Sequence, residues 1–316
     1  KLPKEVTNKE IKEAKKYVNK HFFNNPGSDF TWMVIDHKGA DLLLKKFIKN
    51  KLLNFGTYQD GVSDKVFSGY HSVLSPLINV GLLDVNIIIK KIIKNLNPKN
   101  HQLLASTEGY IRQLIGWREY CRLIYMLRYK DLEGNYFNNK VKLSKDWFKK
   151  KEVYTGFVFI DELINKTWDY AYLHHIERLM FIGNYLLLNR ILPTDIYNWF
   201  QTMFLDSYAV FMYPNVYGMS QYSSGPIMMT KPYFSSAAYI MRMSKINGNT
   251  NMSIKELENY AWKDVWNALY YTFINSNKIK LKKNYGVANQ VGNWNKKSAT
   301  EKRKLLALSN KYKKSY

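Results

Sequence analysis

Apolar positions recur along this chain mostly at three- and four-residue intervals, the period of an α-helix with one buried face. Ile111, Leu114, Ile115, Tyr120, Leu123 and Ile124 form one long stripe of this kind, and Trp168, Ala171, His175, Leu179, Ile182 and Leu186 form a second. A third helix begins after Pro193, at Thr194; Ile196, Trp199, Phe200, Met203 and Phe204 give it an aromatic inner face. Strand-like alternation is scarce. Breakers at Pro26-Gly27, Asn97-Pro98, Glu133-Gly134, Pro214, Gly225-Pro226 and Pro232 leave segments of helical length between them. The pattern predicts an all-α protein with no internal repeat and no low-complexity domain.

Composition adds a partner to this picture. With 316 residues, 16% of them aromatic, the chain can bury a sizeable core. Its 48 basic against 25 acidic residues leave a formal charge of +23, far beyond what solubility needs, and favour a polyanion, with nucleic acid first. The competing explanation is a lysine- and asparagine-rich compositional bias, and basic runs such as Lys145–Lys151, Lys278–Lys283 and Lys296–Lys304 are also what solvated faces look like. A single cysteine, Cys121, excludes an intrachain disulfide and any all-cysteine metal site within the chain. No apolar run is long enough for a membrane span, and the basic start lacks a secretory apolar core, so a soluble protein of open compartment is expected. The expected organisation is a basic connecting segment over 1–40, a helical domain over 41–275 and a basic extension over 276–316.

Several residue groups could carry chemistry. Glu108, Arg112, Gln113, Trp117 and Arg118 fall on one long helix, where such spacing suits either a cofactor wall or a solvated, salt-bridged face. His174 and His175 are adjacent, so on a helix they point about 100° apart and cannot share one site equally. Spacing alone favours one core and one surface histidine. Ser72 and Ser75, ahead of Pro76, could bind a phosphate through hydroxyls and helix-start amides, although such a string is more often an ordinary helix start. Tyrosines and Trp199 read by themselves as core.

Three strings change these odds: Glu108-Gly-Tyr-Ile-Arg-Gln-Leu-Ile-Gly-Trp-Arg-Glu-Tyr120, Leu173-His-His-Ile-Glu-Arg-Leu-Met180 and Tyr213-Pro-Asn-Val-Tyr-Gly-Met-Ser-Gln221. Together they resemble the FAD-binding helical domain of the photolyase/cryptochrome superfamily, in its bacterial (6-4) photolyase branch. The resemblance implies FAD contacts from Tyr70, Ser72, Ser75, Glu108, Gln113, Trp117, Asn215, Gly218 and Met219. It implies a lesion pocket in which His175, or secondly His174, supplies a proton, walled by Tyr233 and Tyr239. Lys231 and Arg178 would meet DNA. Trp199 would be the ring through which the flavin is photoreduced, and Tyr154 would stand second in that relay.

Departures from the family pattern are equally definite. Val73 stands where an arginine is usual, and Met212 where the family has a carboxylate near the flavin. The branch's four-cysteine iron-sulfur cluster meets Glu162, Asn247, Thr250 and Asp264 instead, so no cluster is expected. The first forty residues do not resemble the α/β antenna domain, which would have to be absent or carried by a separate chain. The leading expectation is light-driven electron transfer from reduced FAD to a (6-4) lesion in DNA. A degenerate, structural DNA- or protein-binding domain and a cryptochrome-like light sensor are the alternatives.

Overall fold

The computed structural model describes residues 2–63, 65–150 and 152–315. Lys151, the end of one basic run, lies outside them. Among the described residues there is no β-strand, only two isolated bridges, Val141 with Ile191 and Asn251 with Ala261. The all-α expectation stands.

The helices begin with α1 (Lys9–His21), α2 (His37–Asn50), α3 (Leu52–Tyr58), α4 (Ser75–Asn79), α5 (Val85–Lys94) and α6 (His101–Ile111). Asn8, Asp36, Asp84 and Asn100 each turn a side-chain oxygen onto first-turn amides of α1, α2, α5 and α6, satisfying donors that a helix start leaves free. Ala40, Leu44, Phe47, Phe55, Ile88, Ile92 and Tyr110 gather into one apolar cluster between α2, α3, α5 and α6. A π-helical stretch (Arg112–Trp117) then joins α6 directly to α7 (Arg118–Leu132), which kinks at Arg128.

The larger core lies beyond. It is built by α8 (Val158–Tyr170), a π-helical stretch (Glu177–Gly183) leading into α9 (Asn184–Leu188), and α10 (Pro193–Met203). Next come α11 (Ala209–Met212), a third π-helical stretch (Tyr213–Ser220), α12 (Ala237–Ser244), α13 (Trp262–Lys282), α14 (Ala288–Asn295) and α15 (Ala299–Ser315). Trp147, Phe157, Trp199, Trp266 and Phe273 are its large buried rings. A third, small cluster of Cys121, Leu132, Tyr217 and Met228 fastens α7 to the third π stretch.

Two sequence expectations change in the structure. The stripe from Ile111 to Ile124 does not stay on one face: Leu114 is buried, but Ile115 and Leu123 are each 52% exposed. The π-helical stretch inserts a residue into the helical period, so a 3.6-residue count loses phase across it. The proposed boundary at 275/276 falls inside α13, and the described part of the extension, 276–315, is no appendage. Leu281, Val287, Val291, Trp294 and Tyr312 belong to the large core. At the other end, the boundary at 40/41 falls inside α2, and Trp32 is docked on the larger lobe by its indole N–H to the Tyr170 carbonyl (2.8 Å).

Tyr312 locks α15 in place. Its hydroxyl meets the Tyr185 hydroxyl at 2.7 Å and the Thr155 carbonyl at 3.0 Å, with the ring fully buried. Tyr312→Phe is expected to lower unfolding free energy by about 1–2 kcal/mol through buried polar groups left unmatched, and Tyr312→Ala by about 3–5 kcal/mol. Urea denaturation checks this; an extension outside the core would give no change.

Candidate cofactor and active-site cavity

Where the three clusters meet, they leave a cavity of about 1000 Å³. This is the upper end of the size range for small-molecule sites. All three π-helical stretches form its wall: Gln113, Leu114 and Trp117 from the first, Arg178, Leu179 and Met180 from the second, Asn215, Val216, Met219 and Ser220 from the third. Each π turn widens the helix locally and brings successive side chains onto one face, which is why such turns recur at functional sites. Val73, also in the wall, has φ +59°, a left-handed conformation that is costly for a β-branched residue.

The wall is fastened at Asp206, between α10 and α11. Arg178 binds this carboxylate with two nitrogens, at 2.8 and 3.2 Å, and the Ser75 hydroxyl donates to it at 2.6 Å. Asn79 donates its side-chain amide to the Asp206 carbonyl (3.1 Å) and accepts from the Arg118 guanidinium (2.9 Å). Arg118 in turn lies 4.0 Å over the Phe211 ring, and Arg178 4.3 Å over Phe204. One carboxylate thus ties α4 of the smaller lobe to the second π stretch of the larger one. Removing one partner of such a buried pair costs about 3–5 kcal/mol, since the remaining charge is stranded.

His175 faces the cavity, and His174 does not. The His174 ring is buried, stacked on His71 at 4.5 Å with a 12° tilt, with its Nε2 3.6 Å from Glu177 Oε1. Glu177 also accepts from the His174 backbone N–H (2.9 Å) and from Lys166 (2.7 Å). Burial brings His71 and His175 down to about 4, Arg178 adding to the effect at both, and also holds His174 well below its ordinary value. The His175 ring is itself accessible within the cavity, but protein crowds around it. Its depressed basicity reflects that surrounding body and the nearby guanidinium, not a lack of access.

Ser72, Ser75, Gln113, Trp117, Asn215, Met219, Lys231, Tyr233, Tyr239 and Arg178 all reach the cavity, as does Met212. Others expected there do not. Glu108 pairs with Arg112 four residues on, both side chains well exposed. Tyr70 stacks on Tyr58 at 5.4 Å instead, and Gly218 backs onto Met228, where a Cβ would come 2.3 Å from the sulfur. Ser75 is already committed to Asp206, and Arg178, expected to meet DNA, is committed to the same carboxylate. Trp199 sits one ring behind the wall: it is fully buried and packs 5.0 Å from Phe200, which lines the cavity. Tyr154 is half exposed and bonded to the Ser253 carbonyl; the indole beside Trp199 is Trp147, edge-on at 5.4 Å.

Sequence reasoning did not find Asp206, Asn79, His71, Trp147 or Gln290. Ser75 and Asn79, one helical turn apart, hinted at a shared partner, but nothing marked the residue far along the chain that binds both. A flavin dinucleotide suits what is present. Arg118, Lys231 and Arg242 can face phosphates, Tyr110, Trp117 and Phe211 offer flat apolar wall, and the buried Gln290 Oε1, with no hydrogen-bond partner, is an acceptor awaiting a donor. The four positions at which the resemblance would look for cluster ligands hold no thiol, and Trp262 donates to the Asn247 and Thr250 carbonyls of that segment at 2.8 and 2.9 Å.

The histidine shifts predict a pH effect of definite sign. Between about 6.5 and 4 the unfolded chain takes protons that folded His71 and His175 refuse, so their contribution to stability is complete above 6.5 and lost as pH falls toward 4. Asp161, raised by burial to about 6, works in the opposite sense, so the test is a difference between variants. Relative to the native chain, His175→Gln should gain stability steadily as pH falls through this window, read from urea midpoints. A flat difference would contradict the assignment.

No family model matches the chain. It is 37% identical over 270 residues to the (6-4) photolyase of Agrobacterium fabrum, covering 85% of this chain and 52% of that protein. It is 38% identical over 114 residues to the uncharacterized protein R853 of Acanthamoeba polyphaga mimivirus, covering 36% of this chain and 85% of that one. Among solved structures, a bacterial class III photolyase from Agrobacterium tumefaciens superimposes with a TM-score of 0.51 at 14% identity, covering 98% of this chain and 60% of that one. The chain spans about half the length of the photolyase it matches. With the helical architecture, the motif strings and this similarity in agreement, the chain belongs to the photolyase/cryptochrome superfamily.

Proposed function

We propose that this chain is a flavin-dependent, light-driven repair protein acting on a (6-4)-type lesion in DNA. The observation that carries the reading is the open cavity at the junction of the lobes, with His175, Tyr233 and Tyr239 on its wall and the Asp206 network holding that wall together. Bound FAD would supply the photoexcitable electron donor. Ser72, Gln113, Trp117, Asn215 and Arg118 would hold it, through hydrogen bonds, charge and ring contact.

The chain's own residues do the rest. Tyr233 and Tyr239 offer π-faces to an extruded base, which recover stacking lost when it leaves the duplex. Lys231 lies 5.9 Å from the Tyr233 ring and Arg242 5.4 Å from Tyr239, so each face carries a cation for a neighbouring phosphate. Burial, and after it the Arg178 guanidinium, oppose protonation of His175 and favour its neutral form. Negative charge arriving on the lesion would favour the imidazolium, so His175 would take up a proton from solvent in the cavity and pass it to the reduced lesion, returning to its neutral form. Trp199, with Trp147 edge-on beside it, would pass an electron toward the cavity; Tyr154, bonded to the Ser253 carbonyl, would stand outside that pair.

With reduced FAD, near-UV light and a (6-4) lesion duplex, the protein should consume the lesion, and His175→Ala should slow this by roughly 10²–10⁴-fold. Lesion unchanged under light would remove the repair claim. Photoreduction of added FAD without repair would instead support the light-sensor reading, which the same cavity and the Trp199–Trp147 pair would serve. In either case Trp147→Phe should slow photoreduction and Tyr154→Phe should not.

A further inference from the structure

The loop joining α13 to α14 carries the most exposed of the large apolar side chains among the described residues, Tyr285 at 99%. Single exposed rings are ordinary on protein surfaces. Three features set this one apart. First, its backbone is held firmly. Asn284 donates to the Thr230 carbonyl (2.8 Å) and the Tyr222 hydroxyl (3.2 Å) and accepts from Gly286 N–H (3.1 Å), while Val287 is buried in the core. Second, the loop borders the cavity: Gly286 and Val287 line it, and Gly286 approaches Lys231 so closely that a Cβ would lie 2.9 Å from the lysine Cβ. Third, the loop is basic: Lys282 and Lys283 precede Tyr285 in the chain and Lys231 lies against Gly286, all three exposed.

An exposed aromatic ring on a tethered, lysine-bearing loop, at the rim of a cavity walled by further tyrosines, matches unpaired nucleic acid. Ring stacking onto a base contributes without regard to sequence, and the lysines hold the flanking phosphates. We propose that Tyr285 is a stacking wedge, which fills the gap left in a duplex when a nucleotide turns out toward the cavity. The inference rests on the reading above that the cavity takes its substrate from DNA, and it adds the residue that occupies the vacated place.

The test needs neither light nor flavin. Binding of the full chain, native and with Tyr285→Ala or Tyr285→Phe, is measured by fluorescence anisotropy against an intact duplex and one of the same sequence with an abasic site. Tyr285 touches no core residue with its side chain exposed to this degree, so the variants should keep the native melting temperature. The expected result is roughly a tenfold loss for Tyr285→Ala on the abasic duplex, little change on the intact one, and retention by Tyr285→Phe. If the native chain binds both duplexes while Tyr285→Ala matches it, or weakens equally on both, the wedge is wrong and the DNA reading stands. If the native chain binds neither duplex, the DNA reading falls and the wedge with it.

Discussion

Asp206 is the charge around which the walls of the cavity are assembled. A carboxylate within the protein body is tolerable only if its lone pairs are occupied, and here Arg178 and Ser75 occupy them while Asn79 takes the backbone carbonyl. These partners come from different lobes. The ion pair therefore does more than cancel two charges: it sets the spacing across which any dinucleotide would lie. Arg178 also adds to the burial that pushes His175 toward its neutral form, so the same guanidinium links wall architecture to the protonation of that histidine.

The three π-helical stretches are the geometric counterpart of that network. Each is less favourable than regular helix, and each occurs where the chain must turn residues onto the cavity. Val73, in a left-handed conformation at the same wall, is a further local strain. The surrounding aromatic core over-determines these features. Rings from Trp147, Trp199, Tyr185, Phe157 and Trp266 contact one another at 5.4–6.3 Å, forming a stiff body against which the wall is pressed. Trp262 and Phe159, 4.9 Å apart, add a further ring pair to this body.

Much of this was legible in the chain. Helical spacing and the placing of breakers forecast an all-α fold, and α10, expected from Thr194, begins one residue earlier at Pro193. Two adjacent histidines had to diverge, and they do: one enters the cavity and the other stacks on His71. What was hidden is what the 3.6-residue period cannot encode. The π stretch from Arg112 shifted the phase of its helix, exposing Ile115 and Leu123 and leaving Glu108 on an outer face. Asp206 and Trp147 act through partners 28 and 52 residues away, and no local pattern announces such pairings. The basic character of 276–316 masked Val287, Val291 and Tyr312, which place that segment in the core.

The account turns on the cavity being a flavin site held by the Asp206 network, and equilibrium titration with FAD, followed by quenching of flavin fluorescence, tests this most directly. The native chain should bind FAD at one molecule per chain. An Asp206→Asn variant, which keeps hydrogen-bonding capacity but loses the charge, should bind it far more weakly while retaining its helical circular dichroism. Saturable binding by neither protein, or equal binding by both, would contradict the account.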